Sequence, residues 1–522
     1  MPRFFNTAGP CDPERHFLLP PERRLPEARR LIDRQSYFVL HAPRQSGKTT
    51  LVRALAQSLT ERGQHTAVYA TCETAAISGA DVERGISTLL SAISSEMDSL
   101  LSELRPGSVE SFRDVPAENR LAYYLTDWSE RSPRPTVLFL DEIDALRDDT
   151  LLSVLRQLRA GYPKRPGHFP QSVALIGLRD VRDYRIRVRQ ESESLGTSSP
   201  FNIKVRSLTL ANFSRDEVAE LYAQHTAETG QAFASEAIDL AWELTRGQPW
   251  LVNALAAEIV DALVPDRTVA IEPRHVERAK EILIERRDTH LDSLIDRLRE
   301  SRVRRVMEPI LVGSFLPPDL LDDDVQYVKD LGLVAAGLQG LEIANPIYRD
   351  VIPRALSWVL QETLPIARAP FIAPDGGLRT DKILEDFRSF WCQNAEFFLE
   401  RQPYSEAAAQ LVFMAYLQRV VNGGGFIDRE YGVGSGRIDL CIRWPSPIGL
   451  QRWAIELKVW REGRPDPLNE GLPQLSGYLA RLGLDSGTLI IFDGRASTPP
   501  LPERCTEEEI EREGRRIQVV RL

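Results

Sequence analysis

The feature that most constrains the fold is the stretch Ala42–Thr50, APRQSGKTT, together with its two flanks. A short apolar run, Tyr37–His41, precedes it and is typical of a buried β-strand. The segment that follows, LVRALAQSLTERG, has the apolar spacing of an amphipathic helix. A strand, a loop and a helix in this order present backbone N–H groups and a helix N-terminus to a phosphate group. The stretch therefore predicts a phosphate-binding loop in a parallel α/β sheet.

Two side chains of this loop have predicted roles in binding ATP and Mg²⁺. Lys48 is placed to reach the outer phosphates, and the Thr49 hydroxyl to ligate Mg²⁺. Ala42 stands where the first glycine of such a loop is expected, so its methyl group is expected to crowd the turn slightly. We assign nucleotide binding to the whole loop: Ala42, Pro43, Arg44, Gln45, Ser46, Gly47, Lys48, Thr49 and Thr50.

A second apolar run, Thr136–Leu140, ends in Asp141 and Glu142 and has the pattern of a parallel strand covered on both faces. Asp141 is predicted to hold Mg²⁺, directly or through water, and Glu142 to orient and polarise the water that attacks the γ-phosphate. Alone, the run is explained equally well by a surface turn; paired with the loop it predicts a Walker B strand. A third apolar run, Ser172–Leu178, leads to Arg179. Arg179 is either a sensor of the γ-phosphate or a solvated arginine in a charged segment.

Together with the segment RGQPW at Arg246–Trp250, these motifs resemble the AAA+-related ATPases of the STAND and archaeal-ATPase type. The resemblance extends over roughly residues 1–360. It implies a P-loop NTPase fold, with a parallel sheet covered by helices on both faces, a helical lid and a winged helix. It also implies that Pro249 contacts the adenine; the alternative is an ordinary helix start with proline at its first position. An arginine cluster near the winged helix either contacts DNA or forms a solvated helix face: Arg297, Arg299, Arg302, Arg304 and Arg305.

The C-terminal part contains a second group of charged residues on predicted strands. A glycine-rich turn, Gly432–Gly436, joins two strand patterns, and Trp453–Trp460 forms a third. Because side chains alternate along a strand, Glu456 and Lys458 share one face with Ala454, and the other face is apolar: Trp453, Ile455, Leu457 and Val459. Asp439 on the neighbouring strand can approach Glu456. The two carboxylates are expected to bind Mg²⁺ beside the lysine ammonium group.

This arrangement resembles the PD-(D/E)XK nuclease superfamily over roughly residues 381–522. The resemblance implies an α/β restriction-endonuclease-like domain that hydrolyses phosphodiesters, with Asp439, Glu456 and Lys458 catalytic and the first two binding the metal. Ile438 stands at the proline position of the motif name. In similar variants a glutamate of the first helix and a glutamine–tyrosine pair complete the site, and these positions correspond to Glu406, Gln474 and Tyr478. The alternative for the acidic and basic pair is a cross-strand salt bridge.

Five segments are expected from these patterns: an ATPase core at 1–205, a helical lid at 206–290, a winged helix at 291–360, a linker at 361–380 and the nuclease-like domain at 381–522. The linker is inferred from three prolines and two glycines between Leu364 and Gly377. The acidic stretch Glu503–Glu513 is expected to form a solvated surface helix.

Composition says more about where the chain is located than about which molecules it binds. A run of roughly 18 apolar residues, as a membrane helix needs, is absent, so the chain is expected to be cytoplasmic. The five cysteines form no CxxC pair and are expected to be isolated reduced thiols. The net charge of −10 argues against a basic coat for nucleic acid, although a local basic channel is compatible with it.

Two functional hypotheses remain open at this point. The first is an ATP-controlled nuclease that acts on DNA rather than RNA. The pairing of these two domains would suit a role in prokaryotic defence or mobile-element control, and this role is inferred from the domain combination alone. The second is a nucleotide-dependent switch or adaptor whose C-terminal domain binds rather than cuts. A translocating motor is less favoured because no helicase motif accompanies the two Walker elements. A homo-oligomer and a protein activator are both compatible with the pattern, and no arginine finger can be nominated.

Overall fold

The computed structural model describes most of the chain, in two compact units. The first comprises Met1–Arg286 and Gln326–Leu333, and the second Arg287–Val325 and Val334–Leu522. The described residues are 2–98, 100, 104–178, 204–286, 294–311, 316, 322–337, 340–363, 371–400, 408–421, 424–433, 436–447, 449–495 and 501–522. Arg179 and Glu406 therefore lie outside the described residues, and their predicted roles stay predictions.

A five-stranded parallel sheet forms the centre of the first unit, in the order β2-β3-β4-β1-β5. Its strands are β1 Tyr37–His41, β2 Thr66–Thr71, β3 Thr136–Asp141, β4 Ser172–Gly177 and β5 Lys204–Thr209. Every residue of β3 and β4 is buried, as expected for strands covered on both faces. The predicted parallel α/β sheet is confirmed.

Helices cover both faces of this sheet. They are α1 Pro21–Arg24, α2 Pro26–Asp33, α3 Lys48–Glu61, α4 Val82–Met97, α5 Ala117–Arg131 and α6 Asp148–Gly161, with short 3₁₀ turns at Glu73–Ser78, Val109–Phe112, Ile143–Ala145 and Tyr162–Lys164. Alternate residues of β1 enter two different cores: Tyr37 and Val39 pack with residues of α4–α6, and Phe38 and Leu40 with residues of α2 and α3. This alternation makes β1 an inner strand that can position a loop at its end.

The rest of the first unit is mainly helical, as the apolar spacing predicted. Its elements are α7 Arg215–Thr229, α8 Ser235–Thr245, α9 Pro249–Ala257, a π-helical turn Glu258–Leu263 and α10 Pro273–Arg286. Ser214 begins α7 with a capping box: its hydroxyl accepts from the Glu217 backbone N–H, and the Glu217 carboxylate accepts from the Ser214 N–H.

Helices and a short hairpin follow in the predicted order: α11 Ser301–Leu311, α12 Asp323–Asp330, the antiparallel pair β6 Val334–Ala336 and β7 Leu341–Ile343, and α13 Pro346–Thr363. Arginines of the predicted basic cluster form ion pairs here. Arg302 lies 3.0 Å from Asp324, Arg305 lies 2.7 Å from the same residue, and Arg297 lies 2.7 Å from Glu300. These carboxylates neutralise much of the charge that a DNA contact would use.

A six-stranded mixed sheet organises the second unit, in the order β12-β13-β11-β10-β9-β8. β8, β9 and β10 are antiparallel, β10, β11 and β13 are parallel, and β12 is antiparallel to β13. The elements are α14 Thr380–Glu400, α15 Ala408–Val421, β8 Phe426–Val433, β9 Gly436–Ser446, β10 Gly449–Trp460, α16 Leu468–Leu482, β11 Ser486–Asp493, α17 Leu501–Arg504, β12 Thr506–Arg512 and β13 Arg515–Arg521. The predicted hairpin and third strand are confirmed.

One sequence prediction about this unit was wrong. The acidic stretch is the edge strand β12 rather than a helix, and its charged side chains face solvent. Within the expected linker, Phe371 and Leu378 are buried among residues of α14 and α15, and Ile372 pairs with Leu378. Prolines and glycines hid these two apolar anchors because they interrupt any helical or strand period.

The cysteine prediction also needs correction. Cys392 of α14 and Cys505 form a disulfide across a sequence separation of 113, with a Cα–Cα distance of 6.8 Å. Cys11, Cys72 and Cys441 are free. Such a pairing depends on how α14 packs beside α17, which spacing along the chain does not show. Among the described residues, no helix has the length and apolar character needed to cross a membrane.

Candidate active sites

The loop at the end of β1 has the backbone that a phosphate cradle requires. Gly47 has a φ of +86° and is the N-cap of α3, and Gln45 has a φ of +56°. A left-handed conformation is readily adopted by glycine, so Gly47 suits this turn. Ala42 is buried in the same hydrophobic core as Leu51 and Leu55. Its methyl group is therefore accommodated by packing beneath the loop.

Lys48 is held inside the loop by two carbonyl groups. Its Nζ donates to the Ala42 oxygen at 2.6 Å and to the Pro43 oxygen at 2.7 Å. Burial lowers the pKa of Lys48 to about 8, and the carboxylates of Asp141 and Asp144 partly oppose this shift. An ammonium group in this position can exchange carbonyl oxygens for phosphate oxygens.

The two residues predicted to bind Mg²⁺ at this site lie in contact. The Thr49 hydroxyl donates to Asp141 Oδ2 at 2.7 Å, and the Tyr69 hydroxyl lies 3.2 Å from the same oxygen. The backbone N–H of Glu142 donates to Asp141 Oδ1 at 2.9 Å. Burial is the largest cause of the raised pKa of Glu142, and the nearby carboxylates of Glu73 and Asp141 raise this pKa further. A hydroxyl beside a carboxylate, with a more basic carboxylate next to it, fits metal binding and activation of water.

The segment RGQPW, at Arg246–Trp250, follows α8 and begins α9, and it contacts the phosphate loop through one side chain. Gly247 has a φ of +70°, and a Cβ there would lie 1.8 Å from the Phe213 carbonyl oxygen. The Phe213 N–H also donates to the Gly247 carbonyl at 2.8 Å. Pro249 is the buried first residue of α9, and the Gln248 side chain accepts from the Leu251 N–H and donates to the Gln45 carbonyl at 3.4 Å.

Sequence reasoning missed several contacts around this site. The backbone N–H of Cys11 donates to the Thr50 hydroxyl at 2.9 Å, and the Trp250 indole N–H donates to the Thr7 carbonyl at 2.8 Å. Tyr69, which contacts Asp141, was also not singled out. These partners carry no motif, because backbone groups and a tyrosine within an apolar strand look ordinary in sequence.

The second candidate site lies where β9 and β10 stop pairing. Their ladder runs to the pair Leu440–Ile455, and the Asp439 carboxylate then accepts from the Leu457 N–H at 2.7 Å. Glu456, between these partners on β10, lies next to Asp439 in the fold. The predicted alternation along β10 is confirmed, because its odd-numbered apolar residues and Ala454 belong to two different cores.

Lys458 connects this pair of carboxylates to α16. Its Nζ lies 3.0 Å from Glu456 Oε1 and donates to Gln474 Oε1 at 2.9 Å. The Gln474 side-chain amide donates to the Tyr478 hydroxyl at 3.1 Å. The structure thus brings together Asp439, Glu456, Lys458, Gln474 and Tyr478, five of the six predicted residues, Glu406 being outside the described part.

Glu456 is the most constrained group of this second site. It is 1% exposed, and its Oε2 atom has no hydrogen-bond partner among the described residues. Burial and the Asp439 charge raise the pKa of Glu456, while Lys458 opposes both. Burial alone would lower the pKa of Lys458, but the two carboxylates outweigh it and raise that pKa. A buried carboxylate oxygen without a donor suits a bound cation.

The groups at this site that can bind a metal are therefore the two carboxylates of Asp439 and Glu456, beside the Lys458 ammonium group. No group of three or more His, Cys, Asp or Glu side chains suited to a metal is found within the part of the chain that the structure describes. A magnesium ion fits two carboxylates, because it usually keeps several water ligands.

Comparison with known proteins gives a family for the region that contains the first of these sites. Residues 27–166 match the AAA ATPase domain family, and this region includes Lys48 and Asp141. The AAA+ part of the sequence resemblance is thus confirmed, and ATP is the expected nucleotide of this domain. The nuclease resemblance stays a prediction. No curated protein matches the chain.

The solved structures that are similar to the chain include the following three proteins. A Walker-type ATPase of Pyrococcus abyssi is 17% identical, with a TM-score of 0.47 over 67% of this chain and 99% of that chain. The RuvB Holliday junction branch migration motor of Thermotoga maritima is 16% identical, with a TM-score of 0.33 over 63% and 93%. Cdc6p from Pyrobaculum aerophilum is 12% identical, with a TM-score of 0.35 over 66% and 94%.

Proposed function

We propose that the AAA ATPase domain of this chain controls a metal-dependent phosphodiesterase in the second unit, which cleaves nucleic acid, DNA in preference to RNA. One observation carries the nuclease part of the proposal. Buried Glu456 has one oxygen 3.0 Å from the Lys458 ammonium group and another without a hydrogen-bond partner among the described residues, at the end of a strand ladder closed by Asp439. In a purely structural buried salt bridge, both carboxylate oxygens are expected to accept hydrogen bonds.

In this proposal Asp439 and Glu456 hold the metal, and Lys458 contacts the phosphate or the attacking water. A bound Mg²⁺ supplies neutralisation of phosphate charge and lowers the pKa of water. Gln474 fixes the Lys458 ammonium group through its side-chain oxygen at 2.9 Å, and Tyr478 fixes Gln474 in turn. These hydrogen bonds hold the Lys458 ammonium group close to the position that the reaction requires.

ATP hydrolysis is assigned to the loop and the end of β3. Lys48 contacts the outer phosphates, Thr49 and Asp141 hold Mg²⁺, and Glu142 activates water. Control is proposed to act through α9, because Gln248 contacts the Gln45 carbonyl of the phosphate loop. A nucleotide in the loop would change this contact, and Pro249 is the proposed adenine contact. Oligomers and a protein activator are compatible with this scheme.

The test measures cleavage of linear and circular DNA by the full-length protein with Mg²⁺ or Mn²⁺, with and without ATP. Glu456→Gln is expected to reduce cleavage by about 100-fold or more, because it removes a metal ligand and its charge. Glu470→Gln is the matched control: this carboxylate lies 4.0 Å from Lys458 and is largely exposed, so cleavage should change less than about threefold.

In the same assay, Lys48→Ala tests whether the nucleotide site controls cleavage, and it leaves the candidate nuclease residues unchanged. If ATP controls the nuclease, this variant loses ATP hydrolysis and its cleavage no longer responds to ATP. Cleavage that is insensitive to Glu456→Gln would refute the assigned site. ATP hydrolysis without cleavage of either DNA or RNA under any of these conditions would favour the other hypothesis, a nucleotide-dependent switch or adaptor whose second unit binds rather than cuts.

A further inference from the structure

A cavity of about 270 Å³ lies at the carboxyl ends of three parallel strands in the second unit. Trp460 ends β10, Asp493 ends β11 and is paired with it, and Arg521 ends β13. Arg495 and Arg504 also line the cavity. The carboxyl ends of parallel strands are the usual place for ligands in sheets of this kind.

A tryptophan and an arginine are stacked in this cavity. The Arg495 guanidinium carbon lies 3.4 Å from the centroid of the Trp460 ring. Two hydrogen bonds to Asp493, from Arg495 Nε at 2.9 Å and Nη2 at 2.7 Å, fix the plane of the guanidinium group. A planar guanidinium group on an aromatic ring presents a surface on which a nucleic-acid base can stack.

The charges around the stack favour an anion. The lining contains three arginines, Arg495, Arg504 and Arg521, against the two aspartates Asp466 and Asp493. Arg521 donates to Asp466 Oδ2 at 2.8 Å, and Arg504 Nη1 donates to the Asp493 carbonyl at 3.1 Å. A guanidinium group has five N–H donors, so the bond to Asp466 leaves donors of Arg521 that a phosphate can accept.

The cavity lies on the same face of the sheet as the candidate nuclease residues. Trp460 follows Lys458 by two positions on β10, and side chains two apart point to the same side, roughly 7 Å from one another along the strand. Trp460 also packs with the core that contains Ala454 and Ile491, which is the side that carries Glu456. A chain bound at Glu456 and Lys458 would therefore reach the stack within about one nucleotide unit.

We propose that this cavity binds one nucleotide unit of a single-stranded segment next to the cleaved bond, with the base stacked on Arg495 and the phosphate contacted by Arg504 and Arg521. This inference rests on the proposed nuclease function and names the substrate form of that site. The base must be unstacked, as a single-stranded segment allows, because inside a duplex both faces of each base are covered by stacked neighbours.

Binding is measured by fluorescence anisotropy with a labelled oligothymidylate, using the full chain with Glu456→Gln and EDTA so that cleavage cannot occur. Arg495→Gln and Arg521→Gln are each expected to weaken binding about tenfold, and Arg521→Gln to lower the slope of log affinity against log salt by about 1. Trp460→Phe tests the stack without removing the aromatic ring and is expected to weaken binding by about threefold. Far-ultraviolet circular dichroism reports whether each variant folds.

Arg516→Gln is the matched control. It removes the same charge from the same strand, β13, but lies five positions from Arg521 on the opposite face and is exposed. Affinity for the oligonucleotide that is equal in the Arg495, Arg521 and Arg516 variants would overturn the proposal. An affinity for a duplex equal to that for the oligonucleotide would also overturn the proposal. Competition by thymidine monophosphate at the concentration of the oligonucleotide would overturn it as well, because it would indicate a site for free nucleotide.

Failure of this subsite and failure of the nuclease are distinguishable. If the wild-type protein never cleaves but the arginine variants lose oligonucleotide binding, the nuclease proposal fails and the binding site stands. If cleavage depends on Glu456 while the arginine variants bind and cleave like Arg516→Gln, the nuclease stands and the subsite is refuted.

Discussion

Gly247 shows how one atom can decide a local structure. Its φ is +70°, and a Cβ added to it would lie only 1.8 Å from the Phe213 carbonyl oxygen, so there is no room for a side chain. The same backbone also receives the Phe213 N–H. The close approach of these two segments places Gln248 and Pro249 at the start of α9, beside the phosphate loop.

Gly247→Ala is expected to destabilise the first unit by roughly 3–5 kcal/mol, because the methyl group must displace backbone atoms as well as adopt a left-handed conformation. Urea unfolding measures the change. Gly230→Ala is the control, since its φ is +80° but nothing lies within 4 Å of its Cβ position, so it should cost only about 1–2 kcal/mol. Equal costs at the two positions would contradict the steric argument.

The pH dependence of nucleotide binding should follow Lys48. Its pKa is about 8 in the free loop because of burial, and phosphate would raise it, so the bound state holds the proton more tightly. Affinity for ATP is therefore fully present below pH 8 and falls as pH rises above 8, by at most tenfold per pH unit. Calorimetric titration in buffers of different ionisation enthalpy should detect proton uptake at pH 8 to 9.

A substitution at an exposed lysine controls for this pH effect. Lys164→Met removes an exposed lysine of the first unit and should leave both the pH profile and the proton uptake unchanged. If affinity stays constant between pH 7.5 and 9.5, the titrating group is not Lys48.

At the level of helices and strands, local chemistry explains where elements begin and what their faces contact. The residues of β1 alternate between two cores, and those of β10 do the same in the second sheet. The edge strand β12 shows the opposite case. Its sequence, TEEEIER, has the charge of a surface helix, but glutamates on an edge strand also prevent pairing with another chain. Charge alone does not distinguish these structures.

The capping box of α7 makes a prediction at this scale. Ser214→Ala removes the hydroxyl that accepts from the Glu217 N–H at 3.1 Å, and should cost about 1 kcal/mol of stability. Ser91→Ala is the matched change inside α4, where the hydroxyl donates to the Ser87 carbonyl at 3.0 Å. Alanine favours a helix interior, so stability there should be unchanged or rise by up to ~0.5 kcal/mol. Thermal unfolding of both variants tests whether the two effects differ in sign.

For the whole molecule, each unit has its own sheet and its own buried cores. We therefore expect two calorimetric unfolding transitions. ATP with Mg²⁺ should raise the midpoint temperature of only the transition that belongs to the first unit. At an ATP concentration of about 100 times Kd, the stabilisation should be ~2.7 kcal/mol, since only the folded unit binds the nucleotide.

Lys48→Ala supplies the control for the whole-molecule prediction. It should abolish the shift caused by ATP while both transitions remain. A single transition that ATP moves as a whole would show that the two units unfold together, and the expected independence would be wrong.

The sequence by itself determined the parallel sheet of the first unit and, in the second unit, the hairpin with a third strand. The motif at Gly47, Lys48 and Thr49 depends on a local strand–loop–helix order, and strand alternation placed Glu456 and Lys458 on one face, so neighbouring residues were sufficient evidence. Only the tertiary structure decided which distant groups meet: Cys392 with Cys505, Gln248 with the phosphate loop, and Trp460 with Arg495 and Arg521. These contacts depend on loop closure and packing between elements far apart in the chain, and no local period records them.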